Sequence, residues 1–321
     1  MESQTAEQYQ EILTRQIGPD YASLPARYTF DHQPDYIKDL THPDNLCGLP
    51  IYTPKLRHHL LTLCTTAIRR EQNFAILKID SDQLKLANET FGRLFGDETI
   101  RRSASLVSRQ FENWPDDSQV FITRSTTGGD ELYIFAINVQ PEHLDQIQNI
   151  SSLINNYSEQ VSIPTPSGDQ TYKLSSSAGK VTSAEHQFSR EIDRTRELLD
   201  SGQIPYAFNL IQDMINKADD RAGSIKVLHE LSSLPVNELM AMHPIQLKER
   251  ISRQFGGGRI SQAGLNILSM IEQISVHNWL RNPHSADATD GTDESAAGTE
   301  NTTLRQIVDS YNSCFKPKQT S

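Results

Sequence analysis

A short run of apolar residues, Phe74-Ala75-Ile76-Leu77-Lys78-Ile79, interrupted only by Lys78, predicts a buried strand. Residues 54–71 before it place apolar side chains at helical spacing, and two further helical segments are expected after it, at 83–95 and 98–111. A strand pair follows at 120–123 and 131–139, joined by a turn containing Gly128-Gly129-Asp130, where two residues that tolerate positive φ permit a tight reversal. A polar helix is expected at 142–157, then short β-like pieces ending near residues 172–177. This order of elements predicts an α/β (α+β) sandwich in which helices pack on a central, largely antiparallel sheet.

From residue 184 the pattern becomes wholly helical. Segments at 188–199, 206–216, 225–231, 245–255 and 262–280 are separated by Pro205, Pro235, Pro244 and Gly256-Gly257-Gly258. In the last of them Leu265, Leu268, Ile271 and Ile274 form one apolar stripe, so an all-α domain is expected over 184–282. Residues 283–301 contain no large apolar side chain and read as a flexible acidic linker, and residues 302–321 as a tail with one more helix. Residues 1–43 are polar and read as an extension with a short helix at 6–15.

Composition narrows the functional classes. A chain of 321 residues has room for two folded units. The net charge of −11 argues against wrapping a nucleic-acid backbone, which requires clustered Lys and Arg. No uncharged run is long enough to span a bilayer and residues 1–15 lack an apolar core, so a cytoplasmic protein is expected. Cys47, Cys64 and Cys314 are widely spaced and suggest neither a disulfide framework nor a zinc site.

Chemistry is concentrated at two places. Asp80-Ser81-Asp82 follows the predicted strand, and Gly128-Gly129-Asp130-Glu131 forms the hairpin turn. Carboxylates at a strand end and on a neighbouring hairpin can converge, and one or two carboxylates together with substrate phosphates suit Mg²⁺, the metal of nucleotidyl transfer.

Four segments in order carry a family resemblance. Asp44-Asn45-Leu46-Cys47-Gly48-Leu49-Pro50 resembles the D-x-L-T-G-L-P opening of GGDEF domains. The stretch from Asp80-Ser81-Asp82-Gln83-Leu84-Lys85 through Asn88 and Gly92-Arg93 to Gly96-Asp97-Glu98 is similar to D-I-D-x-F-K-x-x-N-D-x-x-G-H and the later G-D-E. Gly128-Gly129-Asp130-Glu131-Leu132 matches the namesake turn, and Ser177-Ala178-Gly179 the later S-x-G strand.

The resemblance covers residues 44–183. It implies a palm-like cyclase domain, a diguanylate cyclase that condenses two GTP into cyclic di-GMP, and Mg²⁺ as cofactor with Mn²⁺ as an alternative. It further implies Asp80, Asp130 and the Ser81 carbonyl as metal ligands, and Asp130 with Glu131 at the catalytic turn. Asn88 and Asp97 would read guanine, with Gly128, Gly129 and Lys85 near the phosphates. Because each domain holds one GTP, a homodimer is implied, and the C-terminal helical domain is expected to promote pairing or bind a protein partner.

The chain departs from the family pattern at three points. In the turn itself Arg124 sits farther before the glycines than is usual, and Leu132 replaces Phe. The late helix, whose Lys and Arg usually grip the phosphates, aligns best with residues 192–202, which puts Leu199-Asp200-Ser201 at the usual Lys. Arg194 and Arg196 are the nearest substitutes. The product-inhibition motif R-x-x-D falls at Gln119 and Ile122, neither of which can serve. The alternative to an active cyclase is therefore a catalytically inactive GGDEF-like module acting as a GTP-binding or protein-interaction scaffold.

Overall fold

The computed structural model describes residues 5–18, 24–126, 129–165, 168–232 and 249. The helices expected at 245–255 and 262–280, the linker and the tail, like Gly128, lie outside the described residues. The elements in chain order are α1 (Ala6–Ile17), α2 (Asp35–Lys38), α3 (Pro54–Arg69), β1 (Asn73–Ser81), α4 (Leu84–Phe91), α5 (Arg93–Gln110), β2 (Gln119–Arg124), β3 (Leu132–Val139), α6 (Pro141–Asn156), β4 (Ser158–Ile163), β5 (Gln170–Thr182), α7 (His186–Asp200) and α8 (Ile204–Ser232).

The strands form one sheet in the order β2-β3-β1-β5-β4, with every neighbouring pair antiparallel. The apolar run therefore becomes the central strand β1. Its side chains alternate between faces. Ala75, Leu77 and Ile79 pack with Ile100, Ala104 and Val107 of α5 and Ile147, Ile150 and Ile154 of α6. Phe74 and Ile76 pack on the opposite face with Leu60 and Cys64 of α3, Ile192 and Leu199 of α7, and Leu210, Ile211 and Met214 of α8.

Two boundaries differ from the sequence expectation. The break between the first pair of helices falls at Gly92, not after residue 95. Gly92 has φ 89, a conformation that favours glycine, and its N–H bonds the Asn88 carbonyl to close α4. The segments expected separately at 206–216 and 225–231 are one helix, α8. Gly223 inside it costs about 1 kcal/mol relative to Ala. Burial of Leu210, Ile211, Met214 and Ile215 outweighs that, at about 1.5–3 kcal/mol each as an upper bound.

Residues 186–232, expected to open a separate helical unit, thus share a core with the sheet. The N-terminal segment is also packed against it. Tyr9 and Leu13 of α1 join Ala87, Phe95, Val161 and Tyr172, and the Tyr9 hydroxyl donates to the Phe91 carbonyl at 2.7 Å. Among the described residues no helix is long and apolar enough to cross a membrane.

Candidate active site

The face of β1 that carries Phe74 and Ile76 continues through Lys78 to Asp80, with Asp82 just beyond the strand, so it runs from hydrocarbon to charge within one strand. Helix α8 lies along the same face with a matching sequence of its own. After its apolar stretch, Asp219 pairs with Lys78, Lys226 with Asp80 and His229 with Asp82. The geometry permits this register. Four residues of strand rise about 13 Å and ten residues of helix about 15 Å, so the three pairs stay in step.

Close approach of α8 depends on Gly179, which lies opposite Lys78 on β5. A Cβ at Gly179 would strike the backbone of Ala218 and Ala222. The S-x-G strand is thus a seat for helix backbone, and Ala218 and Ala222 are the small residues that occupy it.

The hairpin loop is braced from the other side. The buried Arg124 guanidinium donates to the Gly129 carbonyl at 3.0 and 3.2 Å and pairs with the buried Asp44 carboxylate. Asp44 also accepts from the Cys47 N–H at 2.5 Å, and its N–H bonds the Leu49 carbonyl at 2.8 Å. The segment that opens the resemblance is therefore a small loop whose carboxylate holds the arginine that holds the turn.

The braced turn brings Asp130 to Asp80. Burial first, and then the negative charge of Asp80, pushes the Asp130 carboxyl up to about 8. A cation lies beside them. Lys226 Nζ lies 2.9 Å from Asp80 Oδ1 and 3.4 Å from the Ser81 carbonyl oxygen. Burial would lower the Lys226 ammonium, but the Asp80 and Asp130 carboxylates outweigh it and hold it above its ordinary range.

These oxygens are hard donors, two carboxylates and a carbonyl. Donors of that kind suit Mg²⁺ or Mn²⁺, and in this structure the Lys226 ammonium is the cation held by Asp80 and the Ser81 carbonyl. Among the described residues no cluster of three or more His, Cys, Asp or Glu side chains is arranged to hold a metal ion.

A pH dependence follows from Asp130. Its folded value lies above the ordinary 3.8, so the stability this carboxyl contributes is complete below that value and is lost as pH rises through about 8. A metal must displace the same proton. We expect Mn²⁺ affinity, measured by calorimetry without nucleotide, to rise from about pH 6 to 8 and then level off, and Asp130→Asn to flatten both profiles.

The remaining expected residues divide. The Asn88 carboxamide lies where a Cβ on Gly96 would sit, so Asn88 packs against the turn of α5 that also carries Asp97. Glu131 Oε1 is 2.9 Å from Lys78 Nζ. Burial would lower the Lys78 ammonium, yet the Asp219 hydrogen bond and the nearby Glu131 hold it raised. Gly129 is fixed by Arg124, whereas Lys85 is exposed on α4 with Nζ 3.8 Å from Glu89.

The late helix requires a correction. Arg196 is spent elsewhere, on the Ile68 carbonyl and Asp193, and Arg194 is exposed. The lysine at the site is Lys226 of α8, one helix later than residues 192–202. Asp82 was legible only as an acidic neighbour. It is 3% exposed and accepts from Ser175 Oγ at 2.7 Å and Ser177 Oγ at 2.6 Å. Lys78, Asp219, Lys226 and His229 were missed, although Asp219 and Lys226, seven residues apart, share a helix face with the small residues Ala218 and Ala222.

Among solved structures, the chain is similar to the coiled coil and GGDEF domain of DgcB from Caulobacter crescentus in complex with c-di-GMP. The two are 19% identical over 54% of this chain and 86% of that one, with a TM-score of 0.35. It is also similar to the FimX GGDEF domain from Pseudomonas aeruginosa, 14% identical over 57% of this chain and 94% of that one, TM-score 0.35. Diguanylate cyclase SiaD from Pseudomonas aeruginosa, in complex with its activator SiaC, is 18% identical over 54% of this chain and 60% of that one, TM-score 0.35. No curated protein sequence matches the chain. The family model described as the diguanylate cyclase GGDEF domain matches residues 42–200. Through those residues the chain belongs to the GGDEF domain family.

Proposed function

We propose that the chain is a cytoplasmic diguanylate cyclase, condensing two GTP into cyclic di-GMP with release of pyrophosphate. The observation that carries this reading is the approach of Asp130 to Asp80, whose carboxylate holds a cation that also touches the Ser81 carbonyl. In this reading Asp80, Asp130 and the Ser81 carbonyl hold Mg²⁺. The bound metal would lower the pKa of the ribose 3′-hydroxyl and offset charge on the α-phosphate it attacks.

The chain's own residues bind and orient. The Asp97 carboxylate accepts from the guanine N–H groups, and the Asn88 amide supplies a donor and an acceptor beside it. The Gly129 backbone, kept bare of a side chain, lies along the triphosphate, and Lys85 adds positive charge at the mouth. Glu131, steadied by Lys78, takes the 3′-hydroxyl. Lys226, held at Asp80 here, would serve the phosphates as the late-helix lysine that residues 192–202 lack. Its position weighs against the catalytically inactive scaffold, whose main support was that missing lysine.

Two such sites must face each other, so the working enzyme is a homodimer. Residues beyond 232 are proposed to assist pairing or to bind a partner. Nucleotide choice tests the site directly. Fluorescent GTP should bind about a hundredfold more tightly than fluorescent ATP, with Asn88→Ala and Asp97→Ala each removing most of that preference. Equal affinity for the two nucleotides in the wild type would count against the assignment.

A further inference from the structure

The last turn of α8 carries a buried polar arrangement that the proposed reaction does not use. His229 Nδ1 lies 2.7 Å from Asp82 Oδ2, and Nε2 lies 2.7 Å from the Asn155 carbonyl. A carbonyl can only accept, so Nε2 carries a proton. Asn155 lies in the last turn of α6, where carbonyls lack helical partners and a positive charge is favoured. Asn155 cannot drift: its side chain donates to the Ala178 carbonyl at 3.0 Å and accepts from the Ala178 N–H at 2.6 Å.

Asp82 is equally fixed. Besides Ser175 and Ser177, its N–H bonds the Ser175 carbonyl at 2.9 Å and its carbonyl accepts from the Tyr172 hydroxyl at 3.2 Å. The imidazole thus spans two rigid points, one at the end of β1 and one at the end of α6. Lys226 lies three residues before it, on the same helix face.

We propose that His229 is a positioning residue: by bridging Asp82 and Asn155 it sets the rotation and depth of α8, and so holds Lys226 at Asp80 and Ser81. This rests on the metal-site reading above. It predicts that His229 acts on metal binding through Lys226, because the imidazole is tied to Asp82, Ser177 and Asn155 while Lys226, on the same helix, is tied to Asp80 and the Ser81 carbonyl. The apolar face of α8 anchors the helix independently, so the fold should survive substitution of His229.

The test is Mn²⁺ binding without nucleotide, by electron paramagnetic resonance, in wild type, His229→Ala, His229→Gln, Lys226→Met and the double variant His229→Ala/Lys226→Met, with thermal unfolding of each. Loosening Lys226 should tighten Mn²⁺ by about threefold or more in His229→Ala, and less in His229→Gln, which keeps a donor. In the Lys226→Met background the same alanine should change nothing. Unchanged Mn²⁺ affinity in His229→Ala with a lowered melting temperature would reduce His229 to packing and overturn the proposal, leaving the metal site intact. An equal change in both backgrounds would overturn it as well. Absence of any Mn²⁺ binding that Asp80→Ala removes would overturn the metal-site reading, and this proposal with it.

Discussion

Replacing Asp80 or Asp130 by alanine is expected to reduce turnover of GTP by about a thousandfold or more, with the melting temperature of Asp130→Ala at or above the wild-type value. Losing one of two carboxylate ligands uncouples metal from phosphate, which removes several kcal/mol of charge stabilisation, and each 1.36 kcal/mol is tenfold in rate. Stability should not follow activity. Asp130 is a buried carboxyl beside another carboxylate, and burial together with that charge works against its ionised form, so its removal relieves the fold. Steady-state rates and thermal unfolding of both variants check this; near-wild-type turnover in either would exclude the assigned metal site.

Substituting Lys226 by methionine should separate two properties that usually move together. Turnover should fall about a hundredfold as the phosphates lose a positive charge. Mn²⁺ binding without nucleotide should instead tighten about tenfold, because the ammonium 2.9 Å from Asp80 Oδ1 no longer competes for the same oxygens. Methionine keeps most of the stem's packing, and the apolar half of α8 stays buried, so the protein should remain folded. Calorimetric titration with Mn²⁺ and initial rates with GTP give the two numbers. Weaker Mn²⁺ binding would mean that Lys226 assists the metal instead of standing in for it.

How much of this was legible depended on how local the signal was. The strand 73–81, the hairpin and the helices on the sheet follow from runs and periods within a few residues, and the convergence of Asp80 and Asp130 follows from a strand end meeting a neighbouring turn. The proposal that Asn88 and Asp97 read the base rests on their spacing in the family motif. Lys226 and His229 were not, because α8 reaches the site from more than 140 residues beyond Asp80. What places it is helix-to-sheet register, set by Gly179 against Ala218 and Ala222, and no window of sequence states that contact. The segments expected at 206–216 and 225–231 likewise join, because burial of the apolar face carries one helix through the polar stretch between them. Arg124, conspicuous only for its unusual distance from the glycines, is the brace of the turn.

The central claim, that this site joins two GTP molecules, is tested most directly by identifying the product. Purified full-length chain incubated with GTP and Mg²⁺ should yield cyclic di-GMP and two equivalents of pyrophosphate, separated by chromatography and assigned by mass spectrometry, with no product from Asp80→Ala. GTP that binds with the expected preference over ATP yet is recovered unchanged, at chain concentrations where the protein is dimeric, would contradict the cyclase and leave the nucleotide-binding scaffold as the reading that stands.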